Sequence, residues 1–399
     1  MATTTGGARP AETPVDQPRA VGTVERLGAV AVGLILLALF LAFAEGSFNN
    51  YRVQLVTLVA INAIVAVSLT LTSGFTGVFS LGQIGFMAIG AYVSALMTLP
   101  PQWKSPRLLP DLPAWLATMD LSGWPGWLAL LVACVAGGAV AALVAAVVGA
   151  PLMRLSGHYV AVATMGFLII VHEVANNWDT VTRGARGLAQ VPRHTDLWLA
   201  YAWAVVTIYT VLRLRSSPYG RAMIASRENV IAARAIGVDV LRVRLVAFVV
   251  GAFFTGVAGA LVAHQIGNVN PSGFYFTTTF AIIIMVVVGG LGSVSGAVVG
   301  ATVLTLAPEY LRDVEDGMDL GPFSFGALYG LSNIILAVAF VLVTIFRPRG
   351  LFGDRELGLG ILSRWRRGGC EPATSAAVDT PALAPDVAAP PRDDHAETR

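Results

Sequence analysis

The sequence predicts an all-α polytopic membrane protein with about ten transmembrane elements, some broken by glycine or re-entrant, and with both termini cytoplasmic. Three features carry this. A mean hydropathy of +0.71 over 399 residues, of which 13% are charged, is too apolar for a soluble domain, where about a quarter of residues are charged. Several apolar runs approach or exceed the roughly 18 residues that cross a bilayer, and in lipid such runs are helical because a helix satisfies its own backbone. The basic residues sit in blocks between these runs, which is the asymmetry that sets orientation.

Taken in order, helices are expected near 27–45, 53–72, 80–99, 127–150, 157–177, 196–212, 243–266 and 323–346, with a complicated region at 278–308. The first run ends in "AFAEG" but is longer than the apolar part of a cleaved signal, about 7–15 residues, and reads as an uncleaved helix. Residues 1–22 and 353–399 read as polar tails that bury too little to order. That leaves 23–352 as the transmembrane domain.

Seven arginines between Arg213 and Arg244 face two acids, Glu228 and Asp239, and "RPRGLFGDRELGLGILSRWRR" carries six more against two. Both segments read as inside. "PEYLRDVEDGMD" (308–319), with five acids and one arginine, reads as an outside loop. Parity then requires residues 278–308 to enter and return. Thirty-one residues are too few for two spans of about 20, so a hairpin of short or broken helices is expected around "VVVGGLGSVSGAVVG". With the N-terminus inside, the count is eight full crossings plus this hairpin. The 179–195 loop then lies outside despite Arg183, Arg186 and Arg193.

Composition excludes some chemistry. The only lysine, Lys104, lies in "PPQWKSP" with no glycine loop before it, so ATP hydrolysis through a P-loop lysine is excluded. Cys134 and Cys370 are the only cysteines and indicate neither a disulfide framework nor a metal centre.

Two glycine-rich interruptions are the best candidates for a solute path or hinge: Ser73, Gly74, Thr76, Gly77, Ser80, Gly82 and Gln83 in the first, Gly289, Gly290, Gly292 and Ser293 in the second. Broken helices at membrane depth offer partial charges to polar solutes. Close helix packing through small residues accounts for them equally well. His172 and Glu173, in "LIIVHEVANNWD", are the intramembrane ionisable pair, and a proton relay is the functional reading of such a pair. "HEVAN" lacks the second histidine of a zinc-protease helix. His264 reads as a satisfied interfacial residue.

Pro218 suits a helix start and Gly237 the position just past its end. Over this span Ile224, Ile231, Ala235 and Val238 share one stripe, flanked by Arg227 and Arg234 on one side and Glu228 on the other. Such an amphipathic element lies on anionic lipid, acts as a solvated topology signal, or seats its apolar ridge in a partner's groove.

"AARAIG" (Ala232 to Gly237) is similar to the A-A-x-x-x-G core of the loop by which ABC-importer permeases engage their ATPase subunits. Ile231 stands where that motif has glutamate, Glu228 lies a turn earlier, and the leucine-proline ending is missing. "SGFTGVFSLGQIGFMAIGAY", "MRLSGHYVAVATMGFLIIVHEVANNWDTVTRGARGL", "SPYGRAMIASRENVIAARAIGV" and "VVVGGLGSVSGAVVGA" resemble successive signatures of the branched-chain amino acid ABC permease family, over roughly residues 50–352. The family often has glutamate at the position of Ile169 and arginine at that of His172. This resemblance implies a multi-pass inner-membrane subunit with no ATPase site or cofactor of its own. Its expected partners are a second homologous permease, two ABC ATPase subunits that use the ATP, and an extracytoplasmic solute-binding protein. Arg221, Arg227, Glu228, Ala232, Ala233, Arg234 and Gly237 would form the ATPase-coupling segment. Branched-chain amino acids are the implied solutes, with urea, short amides or other organic acids as alternatives. A proton-coupled secondary transporter using His172 and Glu173 is the competing class. A membrane-embedded enzyme lacks a clustered acid, base and nucleophile.

Overall fold

A computed structural model describes residues 23–104, 121, 123–155 and 157–315, with scattered positions from 319 to 353. The main helices are α1 (Thr23–Ser47), α2 (Asn50–Leu69), α3 (Gln83–Thr98), α4 (Gly126–Leu152), α5 (His158–Asn177), α6 (Leu197–Ser216), α7 (Pro218–Glu228), α8 (Val230–Ala235), α9 (Val240–Ile266), α10 (Phe276–Gly289) and α11 (Val294–Glu315). Among the described residues seven segments are long and apolar enough to cross a membrane: 50–75, 126–152, 158–177, 197–216, 240–266, 271–289 and 294–312. Ala31–Ser47 and Gln83–Thr98 are shorter apolar helices. Strand structure is confined to two-residue pairings, such as Leu188–Ala189 antiparallel to Asn268–Val269.

The centre of the bundle is α9 packed between α3 and α4. In lipid no hydrophobic force distinguishes a neighbouring helix from an acyl chain, so helices associate through close van der Waals approach, which small residues permit. A methyl group at Gly90 in α3 would run into the carbonyl oxygen of Gly256 in α9, and one at Gly259 into that of Met87. On the α4 side a Cβ at Gly137 would lie 2.8 Å from Gly90 O, and one at Gly138 2.9 Å from Phe253 O. Gly256 in turn faces Ala141 and Gly138. Three backbones therefore meet along one glycine seam. The surrounding core is apolar, with Phe86 ringed by Phe167 and Phe248 at centroid distances of 4.7 and 5.2 Å.

The hairpin expected at 278–308 is present, with wider arms. α10 and α11 are joined through Gly290–Ser293 and pack so closely that side chains at Gly289 and Gly300 would strike the backbone at Gly296 and Met285. The fourteen residues of α10 extend only about 21 Å at 1.5 Å per residue, short of the roughly 30 Å hydrocarbon core. A 3-10 turn at Pro271–Phe274 lengthens that arm.

Two expectations are corrected. The acidic segment placed in an outside loop at 308–319 is helical through Glu315, Pro308 included. Its acids cluster toward the C-terminal end of α11, where Glu309 accepts a hydrogen bond from Tyr51 at the start of α2. The helix placed at 80–99 begins only at Gln83 and is a sixteen-residue piece, because Gly77 and Gly82 interrupt it. His264 is fully buried, held between Thr98 Oγ1 and Ala260 O at 2.8 Å each, and so is satisfied as expected. The only lysine, Lys104, is buried with its Nζ donating to Met97 O. The helix expected at 323–346 lies largely outside the described residues, and its first two residues, Phe323–Ser324, pair with Asp319–Leu320 as extended chain. The tails at 1–22 and 354–399 lie outside them too.

The seam gives opposite signs for one substitution. Gly90→Ala forces two backbones apart and is expected to destabilise by about 1–3 kcal/mol. Gly166→Ala in α5, where a Cβ meets nothing within 4 Å, should stabilise by up to about 1 kcal/mol through helix propensity. Thermal unfolding of the detergent-solubilised variants measures both.

Candidate functional site

α2 does not end at Leu69 but opens into a π-helical turn, Thr70–Phe75. The wider turn loosens the regular ladder, and threonine hydroxyls take up its carbonyls: Thr70 bonds Ala66 O at 2.9 Å, Thr72 bonds Leu69 O at 3.1 Å, and Thr76 bonds Thr72 O. π-turns of this kind recur at functional sites. Beyond Thr76 the backbone is irregular as far as Gly82, with Gly77 in the left-handed region at φ 71°. Side chains satisfy its amides: Ser80 N donates to Ser73 Oγ at 3.2 Å and Leu81 N to Thr164 Oγ1 at 3.0 Å. Irregular backbone at membrane depth persists only when protein or an aqueous cavity covers it.

α3 restarts at Gln83, whose Nε2 donates to Thr255 Oγ1 at 2.7 Å. Thr255 lies fifteen residues into α9, about 22 Å along it, so α3 begins near the middle of the bundle. Gln83 Oε1 and Ser80 Oγ are buried without a hydrogen-bond partner. Gly82 packs against Thr164 of α5.

The second break is built from the α10–α11 turn. Gly289 closes α10, Gly290 takes φ 119°, and Leu291 and Gly292 lead to Ser293, whose Oγ accepts from Gly296 N at 3.1 Å and caps α11. Gly350 packs on Gly290, and Leu351 N donates to Val288 O at 2.8 Å.

The two breaks touch. A side chain at Gly74 would collide with the carbonyl oxygen of Leu291, so only glycine lets the π-turn meet the hairpin. The arginine-rich segment grips the same place. Arg227 in α7 donates from Nη1 to Gly74 O at 2.9 Å, and its stem lies against Gly77. The guanidinium of Arg215, in the last turn of α6, stands 5.4 Å from the centroid of the Phe75 ring, within cation–π range.

The element expected as one helix over 218–238 is two. Ser217 caps α7 by accepting from Gly220 N, and Pro218 occupies its first turn. Asn229 then leaves helical space at φ −153°, ψ 110°, and its side chain caps α8 through Ile231 N and Ala232 N at 2.9 and 3.0 Å. This break shifts the faces. Met223, Ser226 and Ala233 are buried rather than the stripe 224, 231, 235 and 238. Ile231 is 81% and Ile236 76% exposed, beside exposed Ala232, Arg234 and Gly237, the last at φ 84°. Arg221 is exposed, with Nη1 donating to Ser216 O, and Glu228 pairs with Arg227 at 3.6 Å.

His172 and Glu173 lie at the other end of the bundle, near the loop that follows α9. The ring of His172 stacks on Tyr275 at 4.1 Å, and its Nδ1 is buried without a partner. Glu173 is exposed and accepts from Asn177 Nδ2 at 3.0 Å. Among the described residues no group of three or more His, Cys, Asp or Glu converges as a metal centre would require.

The sequence reading named both breaks and Arg227 but not their meeting point. It missed Thr255, Thr164, Arg215 and Phe75. Thr164 and Thr255 are single polar residues in apolar helices and give little signal, while Arg215 and Phe75 lie inside the arginine-rich segment and the first break without standing out there.

Glycine-interrupted spans around a packed helical centre, joined at one end to an amphipathic arginine-bearing element, define a multi-pass α-helical membrane protein. The chain belongs to the family described as branched-chain amino acid transport system / permease component, which matches residues 51–316. The high-affinity branched-chain amino acid transport system permease protein LivM of Salmonella typhimurium (strain LT2) is 29% identical, covering 80% of this chain and 74% of that protein. LivM of Escherichia coli (strain K12) is 28% identical over the same shares, and LivH of that strain is 26% identical over 45% of this chain and 60% of its own length. No solved structure matches.

Gln83→Leu removes a half-satisfied buried amide, while Thr255 keeps its bond to Gly251 O. A stability change within about 1 kcal/mol is expected, measured by thermal unfolding.

Proposed function

We propose that this chain is a membrane permease subunit of a binding-protein-dependent ABC importer in the inner membrane, moving branched-chain amino acids inward. It makes and breaks no covalent bond, has no ATPase site and carries no cofactor. Two ATPase subunits use the ATP, a second homologous permease completes the passage, and an extracytoplasmic binding protein delivers the solute. Urea, short amides or other organic acids are the alternative cargo within this reading. Seven spans, the two shorter apolar helices and the helix expected at 323–346 make ten elements, with both termini cytoplasmic.

The observation that carries the proposal is the two-faced α7–α8 element. Its outer face offers Ile231, Ile236, Ala232, Arg234 and Gly237 to a partner's groove, a helix-in-groove contact. Its inner face holds the junction of both breaks through Arg227. Motion of the ATPase pair would displace α8, pull on Gly74 through Arg227, and shift the π-turn against the hairpin. The breaks then act as hinges beside the passage. The proton-relay reading is not adopted, since Glu173 bonds Asn177 and His172 stacks on Tyr275 rather than the two forming a chain.

Docking and transmission are separable. Ile231→Asp with Ile236→Asp removes two apolar contacts of about 1.5–3 kcal/mol each and should abolish co-purification of the ATPase subunits. Arg227→Ala should leave co-purification within about twofold yet lower ATP-driven uptake about tenfold, the loss of one charge-assisted hydrogen bond. Full uptake in Arg227→Ala would remove the transmission role. Full co-purification in the double variant would remove the docking role.

A further inference from the structure

At the elbow between α6 and α7 a groove of about 610 Å³ is lined by Tyr209, Thr210, Arg213, Leu214, Ser216, Ser217, Pro218 and Tyr219. The elbow is tight because Gly220 lies directly on the carbonyls of Leu214 and Arg215, where a side chain would collide with both. That contact turns the start of α7 back beside the end of α6 and leaves the groove between Tyr209 and Arg213 on one wall and Tyr219 on the other. Both tyrosines are more than half exposed. Arg213 is exposed too and makes no ion pair among the described residues.

Charge decides what fits. No acid occurs between Asp196 and Glu228, whereas Arg213, Arg215, Arg221 and Arg227 do. Arg215 and Arg227 face the π-turn, and Glu228 and Asp239 each lie beside an arginine of their own. Among the described residues Arg213, at the end of apolar α6, and exposed Arg221, one turn into α7, therefore have no acid beside them. Above them Val206, Tyr209 and Arg213 share one face of α6, with Leu212 beside it, all solvent-exposed in the isolated chain. Tyrosine at this level is an interfacial residue, apolar in its ring and polar at its tip, and an arginine there presents its guanidinium to the headgroups.

We propose that this groove is a binding site for an anionic phospholipid. The phosphate lies on Arg213 and the edge of Arg221, the two tyrosines flank the glycerol region, and an acyl chain runs along Val206 and Leu212. The site adjoins the α7–α8 element, so an occupant would brace the elbow from which that element projects. The inference uses the cytoplasmic orientation proposed above only to say which leaflet supplies the lipid. Binding itself is measurable without it, so the two proposals fail independently.

The test is native mass spectrometry of the intact full chain in detergent micelles titrated with phosphatidylglycerol or phosphatidylcholine. Phosphatidylglycerol should be retained about fivefold better, the worth of one interfacial arginine. That preference should vanish in Arg213→Gln and persist in Arg242→Gln, where another exposed arginine, beside Asp239, is removed elsewhere. Tyr219→Ala should shorten retention of both lipids without changing their ratio. Equal retention of the two lipids, an unchanged preference in Arg213→Gln, or the same loss in Arg242→Gln would overturn the site. Loss of bound phosphatidylglycerol whenever the ATPase subunits are attached would assign the groove to that protein partner instead.

Discussion

The architecture depends on the direct approach of three backbones, those of α3, α4 and α9, at Gly90, Gly137, Gly138, Gly256 and Gly259. Without a hydrophobic force between helices in lipid, what holds them is contact area and the weak dispersion gained by each atom pair. Glycine brings main chains close enough for these contacts to accumulate. It also fixes where everything else stands. α3 can be a partial helix beginning mid-bundle because it is buried nearly all round, with Gly90 and Met87 set against the α9 backbone and Gly85 against Phe167 of α5. The irregular chain leading into it is held in turn by Ser73 and Thr164.

Beside this seam, the π-turn and the α10–α11 hairpin interrupt regular helix. They meet through Gly74 and Leu291, and two arginines reach that junction from different helices by different interactions, a hydrogen bond from Arg227 and a ring contact from Arg215. The seam and the junction are thus held by different means, backbone contact in the first and the reach of side chains in the second. Ser80 and Gln83, each with a buried polar atom unpartnered, lie on the boundary between the two.

How much of this was legible follows from the range of each interaction. Hydropathy located the spans from α2 to α9 within a few residues, because apolar length is a local property. Loop charge and length pointed to a hairpin at 278–308, but its arms extend to 271 and 312 and each is long enough to cross, so the expectation of short or broken helices was too narrow. Asn229 was passed over because a single residue in extended conformation leaves no mark on a helical stripe, and the exposed face turned out to contain Ile236 rather than Ile224. The acidic run after Pro308 read as a loop by composition, yet an amphipathic helix end has the same composition. The convergence of Arg227, Gly74 and Leu291 joins residues far apart in the chain. No local pattern encodes it.

Lys104 carries one further implication. The chain contains a single lysine, and its ammonium group is turned inward onto the Met97 carbonyl. No side-chain amine is therefore offered to acylating reagents or amine-directed cross-linkers. Covalent chemistry that works through lysine would meet its one side-chain target in this chain shielded by the fold.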